Sequence, residues 1–508
     1  MKTEAIVTIL AMAVILVAAF VVALIGARPK SKLHTVSLLD WKKNKKIIIV
    51  TVLVTILFFT LPMSLCPIWN GEASTHRDQY EQFTEAILQG QIHFLYEPPA
   101  ELAQMENPYD PYARQDMGFY FKWDHAYYNG QYYMYFGIVP VFLAFLPYRL
   151  ITGTALTTYH ATQLFTGLFI IGLFALFYQM AKKFFKDISL SIYLLLSVAF
   201  CAMSVWCAAS TPALYCTAVT SAMATVVWGI YFWMRAVWDS KNRKQAVLFA
   251  VFGSLCGALS FGCRPTIAMG NLVILPLMFY YLKEHPFKGK WKDALAFLSP
   301  YVVIGILLMV YNYVRFGSFF EFGQSYQLTS VDVRNLPSIF DAATAKEALQ
   351  YLFGYGKNIM RYLFRLSSGM EPPQAGTFVA FPILLYIFVG LAGRSTRSLV
   401  KEEKSWLLTG MMLLTPVVIL IMDVLGSPDV FPRYRMDTTW IFAILGFLLI
   451  GLRYRTKANK VHFSSWICFV AIAMTLVSVW LMVYPNDLNF TVYYEEEIQT
   501  FFQGLFAF

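Results

Sequence analysis

Long uncharged apolar runs recur along the whole chain and alternate with short polar segments. A helix needs about 20 consecutive apolar residues to cross a bilayer, and twelve of these runs are long enough. The predicted spans cover residues 5–26, 47–66, 158–181, 188–207, 214–236, 245–262, 266–283, 293–312, 376–394, 405–425, 436–452 and 462–484. The pattern predicts an all-α, polytopic membrane protein that forms a single integral membrane domain over residues 1–508.

One further apolar stretch, Tyr135 to Ile151, contains Pro140 and Pro147 and is short for a span. We predict that it forms a helix lying at or dipping into the outer interface without crossing. With this assignment six short loops share one side of the membrane and carry 26 of the 40 Lys+Arg. The positive-inside rule makes that side cytoplasmic, so both termini are predicted to be extracytoplasmic.

The composition agrees with this pattern. Of 508 residues, 58% are hydrophobic and 14% are charged, against roughly 25% charged in an ordinary soluble domain. A soluble enzyme, a disordered regulator and a secreted disulfide scaffold are excluded. The net charge of +10 follows from the predicted cytoplasmic loops, so nucleic acid is not an expected partner.

Two long polar segments, about 67–133 and 313–375, lie on the predicted outer side, where we expect the chemistry. In the first, a polar start and Gly90 bound a predicted helix over Gln79 to Gln89. Asp78, Glu81 and Glu85 share one face of it. Asp78 is a candidate general base or metal ligand, and the alternative is a helix cap beside a solvated acidic face.

The same segment contains Asn129-Gly130 between paired tyrosines, which predicts a two-residue β-hairpin. The hairpin would hold Asp124 and the rings of Trp123 and Tyr127 near the outer surface, where aromatic rings can stack on a sugar. The alternative is an interfacial aromatic belt. A divalent metal is left open as a cofactor, although no local ligand motif such as H-E-x-x-H is present. The candidate ligands are His76, His93, His125, Asp78 and Asp124.

Arginines recur at the predicted outer ends of spans, where the positive-inside rule disfavours them. They are Arg264, Arg315, Arg433 and Arg435, with Glu321 close to Arg315 in sequence. Their positions favour an anionic ligand such as a lipid phosphate. Snorkelling, or pairing with Glu321 and Asp437, is the alternative for any one of them. Lys357, Arg361 and Arg365 repeat every four residues and predict a basic interfacial helix that binds membrane lipids. The alternative for this helix is a specific contact with the donor phosphate.

At these residues the chain resembles the GT-C superfamily of polytopic glycosyltransferases, within it the protein mannosyltransferase-like and aminoarabinose transferase-like group, and more narrowly an uncharacterised bacterial subset. The matching motifs run from about residue 47 to 455. They are Asp78-Gln79-Tyr80, Leu88-Gln89-Gly90, Arg264-Pro265-Thr266, Asn107-Pro108-Tyr109-Asp110-Pro111, Trp123-Asp124, Tyr127-Tyr128-Asn129-Gly130, Tyr135-Phe136-Gly137, Arg315-Phe316-Gly317 and Arg433-Tyr434. The chain differs in having one more span before the acidic loop and Gln79 where many relatives carry a second carboxylate.

The resemblance implies an inverting glycosyltransferase in a bacterial cytoplasmic membrane that uses a polyprenyl-phosphate-linked sugar donor and a glycan, lipid or protein acceptor. Asp78 would accept the proton of the acceptor hydroxyl, and Asp124 would place substrate or metal. His76, Arg264, Arg315, Glu321, Arg433, Arg435, Trp123 and Tyr127 would bind substrate, the arginines neutralising the leaving phosphate. The alternative is a lipid or sugar transporter or flippase of the cell envelope, which should have broken helices and polar groups near mid-membrane.

Overall fold

The computed structural model describes residues 3–65, 78–210, 212, 214–284, 290–336, 338–366, 372–426 and 431–483. These residues form mostly α-helices joined by short turns. The helices are α1 Thr3–Ala27, α2 Trp41–Leu65, α3 Gln79–Leu88, α4 Ala100–Gln104, α5 Pro111–Met117, α6 Leu146–Thr152, α7 Thr158–Phe184, α8 Leu190–Ser210, α9 Leu214–Trp238, α10 Arg243–Phe261, α11 Pro265–Ala268, α12 Ile274–Glu284, α13 Lys290–Phe316, α14 Ala345–Phe364, α15 Thr377–Ala380, α16 Tyr386–Ala392, α17 Arg394–Glu402, α18 Trp406–Gly426, α19 Arg435–Arg455 and α20 Lys460–Val483.

Each of the twelve predicted spans coincides with a helix or a broken helix. In the described residues nine helices are long and apolar enough to cross a membrane, or ten if a bent pair counts as one span. The bent pair joins Pro382–Ala392 to Arg394–Glu402 at 76°. The all-α, multi-pass architecture is therefore confirmed, whereas the number of twelve crossings stays a prediction.

The helices differ in how they are covered. The apolar window of α19 is completely buried, so this helix forms the centre of the bundle, whereas only 6% of the α13 window is buried. Around α19 the rings of Phe177 and Phe447 stack with centroids 4.1 Å apart, and Trp206 and Trp440 are buried. Helix α13 therefore lies on the lipid-facing side.

The loops that the charge pattern assigns to the cytoplasm meet at one end of the bundle. The backbone amide of Leu38 donates to the carbonyl of Ile188 at 3.2 Å, and Arg455 donates to the carbonyl of Phe184 at 2.8 Å. Ion pairs join Lys182 to Asp239, Lys460 to Asp187, Arg455 to Glu403 and Arg243 to Asp293. We call this end of the bundle the basic end.

The stretch from Tyr135 to Ile151 does not cross the bundle, as predicted. Its apolar helical part is Val141–Thr152, which at 1.5 Å per residue spans about 18 Å against a hydrocarbon core of about 30 Å. Residues that precede this stretch in sequence and residues that follow it both contact helix α3. Gln79 donates to the carbonyl of Asp124 at 2.8 Å, and Glu81 accepts from the amide of Thr158 at 2.5 Å. Both ends of the stretch therefore lie at the end opposite the basic end.

The predicted hairpin is present. Strands β1 Ala126–Tyr128 and β2 Gln131–Tyr133 pair antiparallel, with Tyr128 opposite Gln131. Asn129 and Gly130 have φ of 48° and 75°, as a two-residue type I′ turn requires. On its other edge Ala126 bridges to Gln327. The hairpin therefore joins the first long polar segment to the second.

Candidate functional site

Asp78 begins helix α3 and is anchored to helix α7. As the N-cap residue it accepts a hydrogen bond from the amide of Tyr80 at 3.2 Å, and its own amide donates to Glu81 at 2.7 Å. This reciprocal arrangement is a capping box. The hydroxyl of Thr158 also donates to the Asp78 carboxylate. Asp78 is thus held in one orientation at the junction of two helices.

Glu81 is buried, so the alternative of a solvated acidic face does not hold at this position. Its carboxyl group accepts from the amide of Thr158 at 2.5 Å, its Oε2 lies 3.2 Å from the hydroxyl oxygen of Thr158, and the residue is 3% exposed. Burial, together with the charge of Asp78, raises the pKa of Glu81 to about 9. Near neutral pH the Asp78 and Glu81 pair therefore holds one proton.

Asp124 lies just before the hairpin, in the left-handed backbone region at φ 55°. Two side chains from distant parts of the chain donate hydrogen bonds to its carboxylate. The hydroxyl of Tyr215 at the start of α9 donates to one carboxylate oxygen, and the amide of Gln327 donates to the other at 2.7 Å. Both oxygens are therefore engaged by neutral donors.

Burial raises the pKa of the Asp124 carboxyl, and the hydrogen bonds from Tyr215 and Gln327 and the charge of Arg433 offset only part of that effect. The residue is 5% exposed. An acid in this environment keeps its proton to higher pH than an exposed aspartate.

His125 is fixed between the hairpin and α3. Its Nδ1 contacts the carbonyl of Trp123 at 2.8 Å, which can only accept. Nδ1 therefore carries the proton, and Nε2 accepts from the hydroxyl of Tyr96 at 2.5 Å. Burial lowers the pKa of His125 to about 4. His125 is thus a neutral structural group beside Asp124.

Arg433 is the arginine next to Asp124. Its guanidinium carbon lies 4.1 Å from the ring centroid of Tyr215 and 4.6 Å from that of Phe431. The same tyrosine donates to Asp124, so one side chain separates the acid from the cation. Among the described residues the contacts of the Arg433 guanidinium are with aromatic rings. Its positive charge acts on the Asp124 carboxyl and favours the ionised form of that group.

Arg264 is paired instead. It contacts both oxygens of Asp437, with Nη2 to Oδ2 at 2.6 Å and Nε to Oδ1 at 3.1 Å, and the Asp437 side chain is completely buried. Asp423 is buried beside this pair. Pairing with Asp437 was the alternative stated for these arginines, and it holds for Arg264.

Two tyrosines connect these groups, the buried Tyr80 and the partly buried Tyr135. The hydroxyl of Tyr135 lies within electrostatic range of Asp124, Arg264 and Arg433, and that of Tyr80 within range of Asp78 and Arg264. Gly137 packs against the turn before Arg264, where a Cβ would lie 2.3 Å from the carbonyl oxygens of Gly262 and Cys263. The close backbone contact brings the two aspartate segments and the two arginines to one end of the bundle.

The remaining predicted residues lie in several environments. Arg315 is buried and donates to the carbonyl of Met134 at 2.7 Å and to Asn312 at 2.8 Å, so it supports the hairpin from below. Arg435 donates to the carbonyl of Pro373, and its Nε and Nη1 are buried without a hydrogen-bond partner in the described ranges. Glu321 accepts from the amide of Gly323 at 2.6 Å.

Of the aromatic candidates, Trp123 is 51% exposed and Tyr127 is buried. The carbonyl of Tyr127 accepts from the hydroxyl of Tyr109 at 2.7 Å, and its ring packs edge-on against Tyr132. Only Trp123 is placed to stack on a sugar. His76 lies outside the described residues.

Sequence reasoning missed three functional neighbours. Glu81 is expected on a solvated face from its position on the helix. Tyr215 and Gln327 lie far from Asp124 in sequence, by 91 and 203 positions respectively, so no local pattern connects them with it. The signal for Glu81 was its place three residues after an N-cap aspartate, which is the spacing of a capping box.

A metal ion would need several clustered ligands. Within the described ranges no group of three or more His, Cys, Asp or Glu side chains is close enough to hold one. The carboxylates of Asp78 and Asp124 are instead engaged by hydroxyl, amide and backbone donors.

No protein-family model matches the sequence, and no curated protein matches it. Several solved structures are similar at low identity. One is the oligosaccharyltransferase of Archaeoglobus fulgidus in the apo form, with 12% identity, 88% of this chain and 57% of that chain covered, and a TM-score of 0.43. The same figures hold for the archaeal oligosaccharyltransferase AglB from Archaeoglobus fulgidus in complex with an inhibitory peptide and a dolichol-phosphate.

A further similar structure is ArnT from Cupriavidus metallidurans bound to undecaprenyl phosphate. It has 12% identity, covers 89% of this chain and 76% of that chain, and has a TM-score of 0.40. The chain spans a little over half the length of the oligosaccharyltransferase. These are distant likenesses, and they assign no residue of this chain to a role.

Proposed function

We propose that the protein is a membrane glycosyltransferase of the GT-C type that transfers a sugar from a polyprenyl-phosphate-linked donor to an extracytoplasmic acceptor of the bacterial cell envelope. The observation that carries the proposal is the placement of Asp124 and Arg433 on the same tyrosine, Tyr215, at the end of the bundle opposite the basic loops. Group transfer from a lipid phosphate needs an acid or base and a cation at that level of the membrane.

In the proposed reaction the acceptor hydroxyl oxygen bonds to the anomeric carbon as the bond from that carbon to the phosphate oxygen breaks. The hydroxyl proton passes to Asp78, and the polyprenyl phosphate leaves with the bonding electron pair. Attack opposite the leaving group inverts the anomeric centre. Asp78 suits the base because Thr158 and the capping box fix its orientation.

Asp124 has both oxygens engaged by Tyr215 and Gln327, so we assign it a role in placing substrate. Arg433 is the proposed phosphate ligand, because its planar fork can bind two phosphate oxygens. Arg264 is committed to Asp437, and its role is to hold α19 against the turn that carries it. Trp123 offers an exposed ring for the sugar.

The transporter alternative is retained on one specific observation. The span from Pro265 to Lys283 contains a 3-10 turn at Met269–Val273, and the apolar segment after Thr377 is broken into α15, a 3-10 turn and α16. Broken helices are typical of carriers. In this chain, however, the charged groups near these breaks, Arg264 and Asp437, pair with each other at the end of the bundle.

Purified protein in liposomes with a polyprenyl-phosphate-linked sugar separates the two functions. A transferase releases free polyprenyl phosphate only when an acceptor is added, whereas a carrier moves the intact donor between leaflets without consuming it. Mass spectrometry of cell-envelope glycans with and without the protein identifies the acceptor. Movement of intact donor without release of polyprenyl phosphate would replace the transferase proposal with the carrier.

A further inference from the structure

An apolar groove lies on the side of the bundle at the basic end, far from Asp78 and Asp124. It has a volume of about 460 Å³ and runs between α2, α7 and α9, in the size range of ligand sites. Ile49, Leu53 and Ile171 line it and are at least 39% exposed. The groove therefore opens sideways toward lipid.

The groove follows helix α2 from Trp41 to Ile56, a distance of about 22 Å at 1.5 Å per residue. Half of the bilayer hydrocarbon core is about 15 Å. Trp41 packs edge-on against Tyr178 with centroids 5.5 Å apart, and paired aromatics of this kind are typical of the membrane interface. The groove thus spans one leaflet, from its interface to about mid-membrane.

Gln179 is the polar exception in this apolar wall. It lines the groove and is 4% exposed. An amide that lines a groove can donate a hydrogen bond to a polar group of a bound molecule. It lies one turn before Lys182 on α7, which is the depth of lipid ester groups just below a headgroup.

The mouth of the groove carries more positive than negative charge. Asp239 is shared by Lys182 and by Arg235, whose Nε lies 3.6 Å from it. Lys183 lies 5.3 Å over the ring of Trp238. Helix α2 begins beside the mouth with four more lysines, Lys42, Lys43, Lys45 and Lys46, of which Lys43 pairs with Asp40. Clusters of this kind attract anionic lipids.

We propose that this groove is a binding site for an anionic diacyl phospholipid of the leaflet at the basic end, with the phosphate at Arg235 and Lys182, an ester carbonyl at Gln179 and an acyl chain along α2. The site is separate from the proposed sugar-donor site, which lies at the opposite end of the bundle.

The test is native mass spectrometry of the purified full-length protein titrated with phosphatidylglycerol or phosphatidylcholine of the same acyl chains. Wild type should bind phosphatidylglycerol more tightly. Arg235→Gln should weaken phosphatidylglycerol binding alone by about fivefold, the usual effect of one basic residue at a membrane surface. Asp239→Asn should strengthen it.

Gln179→Leu should weaken the binding of both lipids by about twofold to tenfold, the range for one lost hydrogen bond. Ala175→Phe, which fills the groove, should abolish the binding of both. Leu298→Phe is the matched control, because Leu298 faces lipid on α13 and does not line the groove. Thermal unfolding of each variant checks that it is folded.

Equal phosphatidylglycerol retention by Ala175→Phe and Leu298→Phe would show ordinary surrounding lipid and overturn the proposal. Displacement of phosphatidylglycerol from wild type by an equal concentration of undecaprenyl phosphate would assign the groove to the donor and overturn it as well. Loss of binding on Asp239→Asn would contradict the charge assignment even if the other variants behaved as expected.

Discussion

The two ends of the helix bundle hold their carboxylates in different ways. At the basic end Asp187, Asp239, Asp293 and Glu403 each pair with a lysine or arginine. At the opposite end Asp437 is also paired, with Arg264, but Asp124 is held by Tyr215 and Gln327, and Glu81 is held by Thr158. Neutral donors do not offset the burial of a carboxylate as a nearby cation does, and burial raises the pKa of the Asp124 carboxyl. The difference supports placing the proposed chemistry at the second end.

The arginines at the second end also differ in the groups that hold them. Arg264 is paired with a buried carboxylate and Arg315 with a carbonyl and an amide, so both are structural. Arg433 is held by aromatic faces, which leaves its N–H groups for a ligand. Stacking on aromatic rings orients a guanidinium without using its hydrogen bonds.

The largest expected effect is on stability. Arg264→Met leaves Asp437 buried beside Asp423 without their cation, and breaking a buried pair in this way costs roughly 3–5 kcal/mol. Lys460→Gln at the basic end breaks an exposed pair and should cost at most about 1 kcal/mol. Denaturant unfolding in detergent measures both. Equal losses would mean that the two ends are not built differently.

The double variant Arg264→Met with Asp437→Asn sharpens this result. Removing the second charge should recover part of the lost stability, because the uncompensated buried carboxylate is the main cost. An additive loss would contradict the pairing as the cause.

The next largest effect is on turnover. Asp78→Asn should lower the rate of sugar transfer by roughly 100-fold or more, because an amide cannot accept the hydroxyl proton, while donor binding stays nearly intact. Asp187→Asn at the basic end is the matched control and should change the rate less than about twofold, as expected for a surface site away from the chemistry. Wild-type turnover in Asp78→Asn would make Asp124 the next candidate base.

The fold was largely predictable because each part of it rests on a local signal. Apolar length gave the spans, Asn129-Gly130 gave the hairpin, and charge bias gave a non-crossing Val141–Thr152 helix, which the contacts of Gln79 and Thr158 bear out. The site was less predictable. Asp78 and Asp124 could be proposed from their segments, but the partners Tyr215 and Gln327 follow from helix packing that no local pattern encodes.

The distinction between Arg433 and Arg264 also needed the structure. Both sit next to a proline at the start of a helix, so the sequence gives them the same expected role. Asp437 lies two residues after Arg435 on α19, and the crossing of α19 with the turn before α11 decides that it meets Arg264. Burial of Glu81 depends in the same way on where α7 begins.

A smaller effect is expected for donor binding. Arg433→Gln should weaken retention of polyprenyl phosphate by about tenfold, in line with the loss of a hydrogen bond to a charged group. Arg315→Gln should leave retention unchanged and lower the unfolding temperature instead, because its partners are Met134 and Asn312. Native mass spectrometry and thermal unfolding, run on both variants, separate the two roles. Unchanged retention in Arg433→Gln would remove it as the phosphate ligand.

The last expected effect is a change in pH dependence caused by Glu81. Its pKa is raised to about 9, well above the usual value for glutamate of about 4.3. Between these values the unfolded chain has lost the proton that the folded protein keeps, so the folded protein loses stability as the pH rises through this window.

Glu81→Gln cannot ionise, so its stability should lack this dependence on pH. It gives up one acceptor to Thr158 or Asp78, so it starts less stable than wild type at pH 5, and the difference should shrink and then reverse as the pH rises toward 9. Thermal unfolding across that range is the measurement. Glu403→Gln, which removes a carboxylate paired with Arg455 at the basic end, is the matched control and should give a curve parallel to that of wild type. Parallel curves for Glu81→Gln as well would show that Glu81 is ionised at neutral pH and that the pair with Asp78 holds no proton.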